Sequence, residues 1–221
     1  MANLHIRGPL LTQSGYGVHS RQIFRWALSR GHNITAEVTP WGITPWYISP
    51  EKCSGIVGQI MERTTPIQQQ PDISIQIQLP NEWTPGIGKK NVGITAGVET
   101  DICSQEWIQA CKSMDKVIVP SRFSKNTFVN SGYSDISVVS ECFYKECIDD
   151  DIDGSLINPK IDFIDTEKNF LMFGQITGTN SDNDRKNTHD TIKWFIEAFS
   201  NKPYGLIIKT NSGTNCKVDR K

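Results

Sequence analysis

The chain of 221 residues has no long hydrophobic run. Nothing in it approaches the ~20 consecutive apolar residues that a membrane span needs, so no stretch reads as a spanning helix. The first residues, Met1 to Pro9, carry no apolar segment of signal-peptide length and do not read as a secretory signal. An excess of one charge is missing too: 23 Lys and Arg stand against 24 Asp and Glu, a net of −1. That balance implies no polyanionic partner, and nucleic-acid binding is not expected. Peripheral membrane contact has no support in the sequence. No internal repeat or low-complexity tract stands out, so neither a repeat array nor a linker protein is indicated.

Metal-binding patterns are also wanting. The six cysteines are Cys53, Cys103, Cys111, Cys142, Cys147 and Cys216. Without a signal sequence, reduced thiols are the expected state. Cys142 and Cys147 form a close pair, but no second pair or nearby histidine completes a zinc set. Asp149, Asp151, Asp153 and Gly154 mimic the opening of a calcium loop. The twelfth position of such a loop needs glutamate, and here it is Lys160. A solvated acidic linker over Asp149 to Pro159 is the expectation instead. Asn33-Ile34-Thr35 fits a glycosylation acceptor, which is irrelevant to a chain expected to be cytoplasmic.

What is present reads as globular α/β. Hydrophobic residues make up 37%, and the 17 glycines bring this to about 45%, ordinary for a folded chain. The length exceeds one typical domain and falls short of two. The most informative stretch is Lys116 to Gly132. Val117, Ile118 and Val119 form a short β-branched run without alternation, the pattern of a strand buried on both faces of a parallel sheet. Pro120 cannot donate to the ladder and ends it. Ser121 or Ser124 can cap the helix that follows, and Gly132 can close it.

Comparable units lie on either side. Leu4 to Leu11 opens as a strand, Thr12 to Gly17 is a loop, and His19 to Arg30 is helical, with Gly31 ending it. Ile34, Ala36 and Val38 alternate as a strand. Trp41 to Pro50 is a loop with large aromatic surface, and Glu51 to Arg63 reads as a helix. Ile73, Ile75, Ile77 and Leu79 alternate strictly with Ser74, Gln76 and Gln78, which predicts a strand with one wet face near an open side of the sheet. Pro80 to Lys90 is loop, Val92 to Ala96 a strand, Ser104 to Ser113 a helix, and Ser137 to Glu141 a further strand. After the acidic stretch come a strand at Leu171 to Phe173, a helix from Asn187 to Ser200 and a strand at Leu206 to Lys209.

These units carry a family resemblance. Met114-Asp115-Lys116-Val117-Ile118-Val119-Pro120-Ser121 looks like the "mD-x-vivPS" strand of GT-B glycosyltransferases. Gly31-His32-Asn33-Ile34-Thr35 looks like their step into the second strand, and Ser14-Gly15-Tyr16-Gly17 like the glycine loop after the first. Phe170 to Gln175, then Asp184-Arg185-Lys186-Asn187, looks like the opening of the C-terminal donor domain. The closest resemblance is to glycosyltransferase group 1 (family 4), mostly retaining enzymes. It implies a Rossmann-like parallel sheet with helices on both faces over residues 1–165, the acceptor side. An incomplete second Rossmann-like domain would follow over 166–221. The family's paired-glutamate donor motif would lie beyond Lys221.

The implied activity is hexosyltransferase-like transfer of a sugar from a nucleotide sugar to a glycan or other hydroxyl acceptor. No metal or other cofactor is implied, and this length of chain alone is expected to transfer little or no sugar. Two alternatives stay open: a non-catalytic GT-B remnant that binds a nucleotide sugar or glycan or serves as a partner subunit, and a GT-B sugar-nucleotide epimerase.

Three groups of residues are candidates for chemistry. Gly15, Tyr16 and Gly17 lie between a strand and a helix, where backbone amides and the helix dipole favour an anion such as the donor diphosphate. The plain alternative is a turn that requires positive φ. If the loop binds, Gly15→Val or Gly17→Val should abolish binding and leave the fold intact. Arg185 and Lys186 can stabilise charge growing on a leaving diphosphate; Lys186 matches the family lysine, and Arg185 stands for its arginine. Alternatively they are a basic surface helix start. Glu99, within Gly97 to Asp101 after a strand, can orient or deprotonate an acceptor hydroxyl, and His19 can reach the same cleft. The bland readings are a solvated carboxylate and a structural histidine.

Overall fold

Six short aliphatic runs become the strands of one parallel sheet. They are β1 (Asn3–Gly8), β2 (Asn33–Val38), β3 (Ile73–Ile77), β4 (Lys90–Ile94), β5 (Lys116–Val119) and β6 (Ile136–Val138). Their order is β2-β1-β3-β4-β5-β6, every pair parallel. Between them run α1 (Gly15–Ser29), α2 (Ile56–Arg63), α3 (Gln105–Lys112) and α4 (Arg122–Asn130). The structure, a computed structural model, describes residues 1–143, 165–174, 181–184 and 186–210. The chain divides into two units, Met1–Phe143 and Tyr144–Lys221. The expected linker at 149–159 lies outside the described residues, as do Cys147, Cys216 and Arg185.

Side-chain alternation puts helices on both faces of the sheet. Val117 and Val119 pack with Ile108, Phe128 and Trp83, under α3 and α4. Ile118, between them, packs against the other cluster, where Leu4, Ile6, Ile34 and Ile77 meet Phe24 of α1 and Ile60 of α2. Successive strand residues point to opposite faces, so the two clusters cover the two sides. The first unit is therefore a Rossmann-like α/β domain. Its strands leave β1 in both directions, to β2 and to β3. That reversal is a topological switch point, and the crevice beyond the carboxyl ends of β1 and β3 is where such sheets bind ligands.

The unit from β5 to α4 forms as its sequence predicts. Ser121 is the cap, its Oγ accepting from the Ser124 amide at 3.0 Å, and Gly132 takes a φ of 95° just past the helix end. Other elements differ from expectation. The helix expected from Glu51 begins only at Ile56, because Gly55 adopts a φ of 80° after two further left-handed residues, Cys53 and Ser54. The strand expected to run to Glu141 ends at Val138. The polar face of β3 is not wet: Ser74 and Gln76 are fully buried and Gln78 nearly so.

β3 is internal to the sheet, and neighbouring chain bonds its polar face at Gln76, whereas the buried Gln78 Oε1 has no hydrogen-bond partner among the described residues. Gln76 Nε2 donates to the Thr84 carbonyl at 2.7 Å, and Gln76 Oε1 accepts from the Thr84 amide at 2.8 Å. Arg7, on the adjacent strand, donates to the Glu82 carbonyl at 2.9 Å. The alternation marks a hydrogen-bonded face rather than a solvated one.

The same layer holds a buried histidine. His5 lies 3.0 Å from Thr35 Oγ1 through Nδ1 and 3.3 Å from Glu37 Oε2 through Nε2. Arg7 Nε donates to the other Glu37 oxygen at 2.9 Å. Burial pushes the His5 pKa below 6.5; Glu37 opposes the shift and Arg7 adds to it. The folded state therefore favours neutral His5, while the unfolded chain takes up a proton near the ordinary value of 6.5. Stability should fall as pH drops below that value and level off below the folded pKa. His5→Gln should flatten this limb in urea titrations compared between about pH 7 and pH 5. An unchanged slope would sink the assignment. Asp72 is held low by Lys89 and the Asn3 amide, and Asp115 by the Asn91 amide and Lys90. Both act only as pH falls below their ordinary 3.8, so the two windows separate.

The second unit shows a strand, a helix and a strand among its described residues. β7 (Lys168–Gly174) and β8 (Tyr204–Thr210) pair in parallel, with α5 (Thr188–Phe199) between them in sequence. Phe170 stacks on Phe199 at 5.3 Å and meets Phe195 edge-on at 5.5 Å, so aromatic rings join the helix to β7.

Candidate functional site

Helix α1 opens at the carboxyl end of β1, six residues after the strand. Ser14 caps it, Oγ accepting from the Gly17 amide at 3.0 Å. Gly15, Tyr16 and Gly17 are therefore the first turn of the helix, not a loop, and neither glycine has positive φ. A helix start leaves its first amides without intrahelical acceptors, and Ser14 takes only that of Gly17.

The two glycines are not equivalent. A Cβ on Gly15 would meet nothing within 4 Å. A Cβ on Gly17 would strike the Thr12 carbonyl oxygen and come within 2.8 Å of Thr12 Oγ1 and 3.0 Å of the Pro9 carbonyl. Gly17 is a packing requirement, and the expectation that Gly17→Val leaves the fold intact is wrong. The turn it touches is held firmly. Thr12 Oγ1 donates to Pro9 O at 3.0 Å, and Arg21 donates to Leu10 O at 2.9 Å and Thr12 O at 2.8 Å. Arg21 is 2% exposed, lies 5.0 Å over the Tyr47 ring, and has no acidic partner within ion-pair distance among the described residues. Nothing in the sequence marks it as buried, because a lone arginine on a helix ordinarily faces water.

Tyr16 ties this turn to the end of β4. Its hydroxyl accepts from the Ala96 amide at 2.9 Å and lies 3.0 Å from Thr95 Oγ1. Its ring stacks on Trp41 at 3.9 Å with planes 22° apart. Burial raises the Tyr16 pKa, against the pull of Thr95 and Ala96, so the phenol stays neutral. With its hydroxyl engaged, Tyr16 has a backbone amide to offer a ligand, and its side chain fixes the loop after β4. Tyr16→Phe should cost about 1–2 kcal/mol, the penalty for a buried amide left unpaired. Chemical denaturation measures this, and an unchanged midpoint would show that water replaces the bond.

Glu99 follows the same loop outward. Gly97, at a φ of 82°, turns the chain after β4, and Glu99 is exposed. His19 lies on the inner side of α1, its Nδ1 3.3 Å from Glu141 Oε1. It edges a cavity of ≈ 490 Å³ with a floor of Ile75, Ile94 and Ile118. The structure thus brings Gly15, Tyr16, Gly17 and the end of β4 together, and pairs His19 with Glu141.

In the second unit, Lys186 sits just before α5. Asp184, a residue to which the sequence assigns no role, organises that start. Its Oδ1 accepts from the Lys186 amide at 3.2 Å and its Oδ2 from the His189 amide at 2.9 Å. Burial alone would raise the Asp184 pKa; the amides of His189, Thr188 and Lys186 hold it below the ordinary carboxylate value. The available signal was an acidic residue just ahead of an apolar helical pattern. Thr188 lies against Gly174, where a Cβ would come within 3.0 Å of Thr188 Oγ1, so the end of β7 and the start of α5 adjoin.

No group of three or more His, Cys, Asp or Glu among the described residues is arranged to hold a metal ion. No helix among them is long and apolar enough to cross a membrane. No family model and no curated protein matches the chain.

Proposed function

We propose that this chain is the acceptor-side domain, with the opening of the donor domain, of a retaining glycosyltransferase that uses a nucleotide sugar. One observation carries the reading: a helix N-terminus stands at the switch point of the parallel sheet, and its first residue, Gly15, leaves the backbone open to approach. Amides at a helix start, with the dipole behind them, suit a diphosphate. Tyr16 holds that turn against β4. In this scheme Lys186 neutralises charge that grows on the leaving diphosphate, stabilising the transition state more than the ground state. Glu99 orients the acceptor hydroxyl. The cytoplasm supplies nucleotide sugars and is the proposed location.

Calorimetric titration with nucleoside diphosphates tests the binding half of this reading. The chain should bind them, and Lys186→Ala should weaken binding by roughly tenfold, the effect of one charge-assisted contact. Equal affinity for the parent nucleoside and its diphosphate would remove the anion site from the account.

A further inference from the structure

The loop after β2 has a chemistry that the diphosphate site does not use. From Thr39 to Pro50 no residue is charged, and three prolines punctuate the run. Ile43 is 70% exposed, Trp46 41% and Ile48 81%. Exposed apolar side chains on a mobile loop would carry little meaning, but this loop is anchored. Trp46 bridges Thr12, the Gln13 amide donates to Pro45 O at 2.9 Å, and the Tyr47 amide donates to Leu11 O at 2.8 Å. Thr44 Oγ1 donates to Trp41 O at 2.8 Å, and Trp41 is stacked on Tyr16. The Trp41 ring and the Trp46 backbone are therefore fastened to the turn that opens α1, with the exposed Gln13 beside them.

We propose that this loop is a stacking wall for a neutral pyranose ring of the acceptor, with Trp46 as its principal face. The inference rests on the glycosyltransferase reading and names the acceptor class. One face of a pyranose presents C–H groups, apolar and slightly positive, while its rim carries hydroxyls. An aromatic face carries the complementary negative quadrupole, and the Gln13 amide offers both a donor and an acceptor to a hydroxyl. A lipid surface fits less well. The loop has no lysine or arginine to attract anionic headgroups, and it is not an amphipathic helix. Its rigidity lowers the entropy lost on binding.

The experiment uses the whole 221-residue chain, with ligand-observed NMR and indole fluorescence against maltotriose, cellotriose, mannotriose and chitotriose. At least one should bind, and Trp46→Ala should weaken it by roughly tenfold, a stacking contribution of the usual size. Trp46→Phe should retain most of the affinity. Circular dichroism checks that the variants fold, and nucleoside diphosphate affinity should not change in either. Equal trisaccharide affinity in Trp46→Ala overturns the proposal, as does binding of no trisaccharide at millimolar concentration. Partition onto phosphatidylcholine–phosphatidylglycerol vesicles that depends on Trp46, without saccharide binding, would assign the wall to a membrane instead. Trp46-dependent saccharide binding without diphosphate binding would leave the wall standing and bring down the transferase reading.

Discussion

Gly17→Val is expected to destabilise the first unit by more than about 3 kcal/mol, whereas Gly15→Val should fold normally and lose diphosphate affinity. The two residues are two apart and chemically identical, so the contrast tests position alone. At residue 17 an added Cβ meets the Thr12 carbonyl. That carbonyl cannot move aside cheaply, because it accepts from the buried Arg21, and the Thr12 amide and hydroxyl are both bonded to Pro9. The helix would have to lift from the end of β1 and take Arg21 with it. A fall in Tm on the order of 10 °C is the expected scale for a unit of this size.

At residue 15 no atom stands within 4 Å of the added carbon, and a first-turn valine is a small conformational burden. The valine would fill the space through which an anion approaches the backbone, so affinity for a nucleoside diphosphate should drop by tenfold or more. Scanning calorimetry and titration together separate the effects. A Gly17→Val chain with parental stability would refute the packing account. A folded Gly15→Val chain with parental affinity would refute the binding account.

The contrast also shows what a linear reading can reach. Local signals were legible: the Val117–Val119 run, Pro120, the Ser121 cap and Gly132 are decided within seventeen residues. Parallel strands with intervening helices follow from repeating that unit, which is why the α/β class was readable. What failed were properties set by contacts that appear only once the chain is folded. Ser74 and Gln76 alternate with isoleucines whether water or the Thr84 backbone lies opposite them. Gly17 looks like a flexible glycine until Thr12 is placed against it. Tyr16 meets Thr95 and Ala96 across 79 and 80 residues, and no periodicity encodes that meeting. His19 lies in the second turn of α1 rather than the first, because the helix begins at Gly15, and the covered side of the helix decided its partner, Glu141.

Binding without turnover is the other large effect expected of this chain. Sugar transfer requires donor and acceptor held together in a cleft from which water is excluded, with the leaving diphosphate stabilised as its charge develops. The residues proposed for this are Gly15 and Tyr16 at the start of α1, Glu99 after β4 and Lys186 before α5. The proposed scheme assigns no residue to the base or the sugar hydroxyls of the donor, and from Ala198 to Lys221 the only acidic residue is Asp219. Contacts remote from the reacting bond are what position it, so their loss lowers the rate as well as the affinity. The chain should therefore bind nucleoside diphosphates and neutral saccharides while transferring sugar at a rate close to background. A panel of radiolabelled nucleotide sugars with the trisaccharide acceptors measures this, run in parallel on the chain and on its Lys186→Ala variant. Sustained multiple turnover by the 221 residues that falls with Lys186→Ala would mean that the donor site is already complete. Turnover indifferent to Lys186 would mean that the diphosphate is stabilised by groups other than those proposed. Diphosphate binding with no transfer to any acceptor would leave a binding module, which the same fold supports equally well.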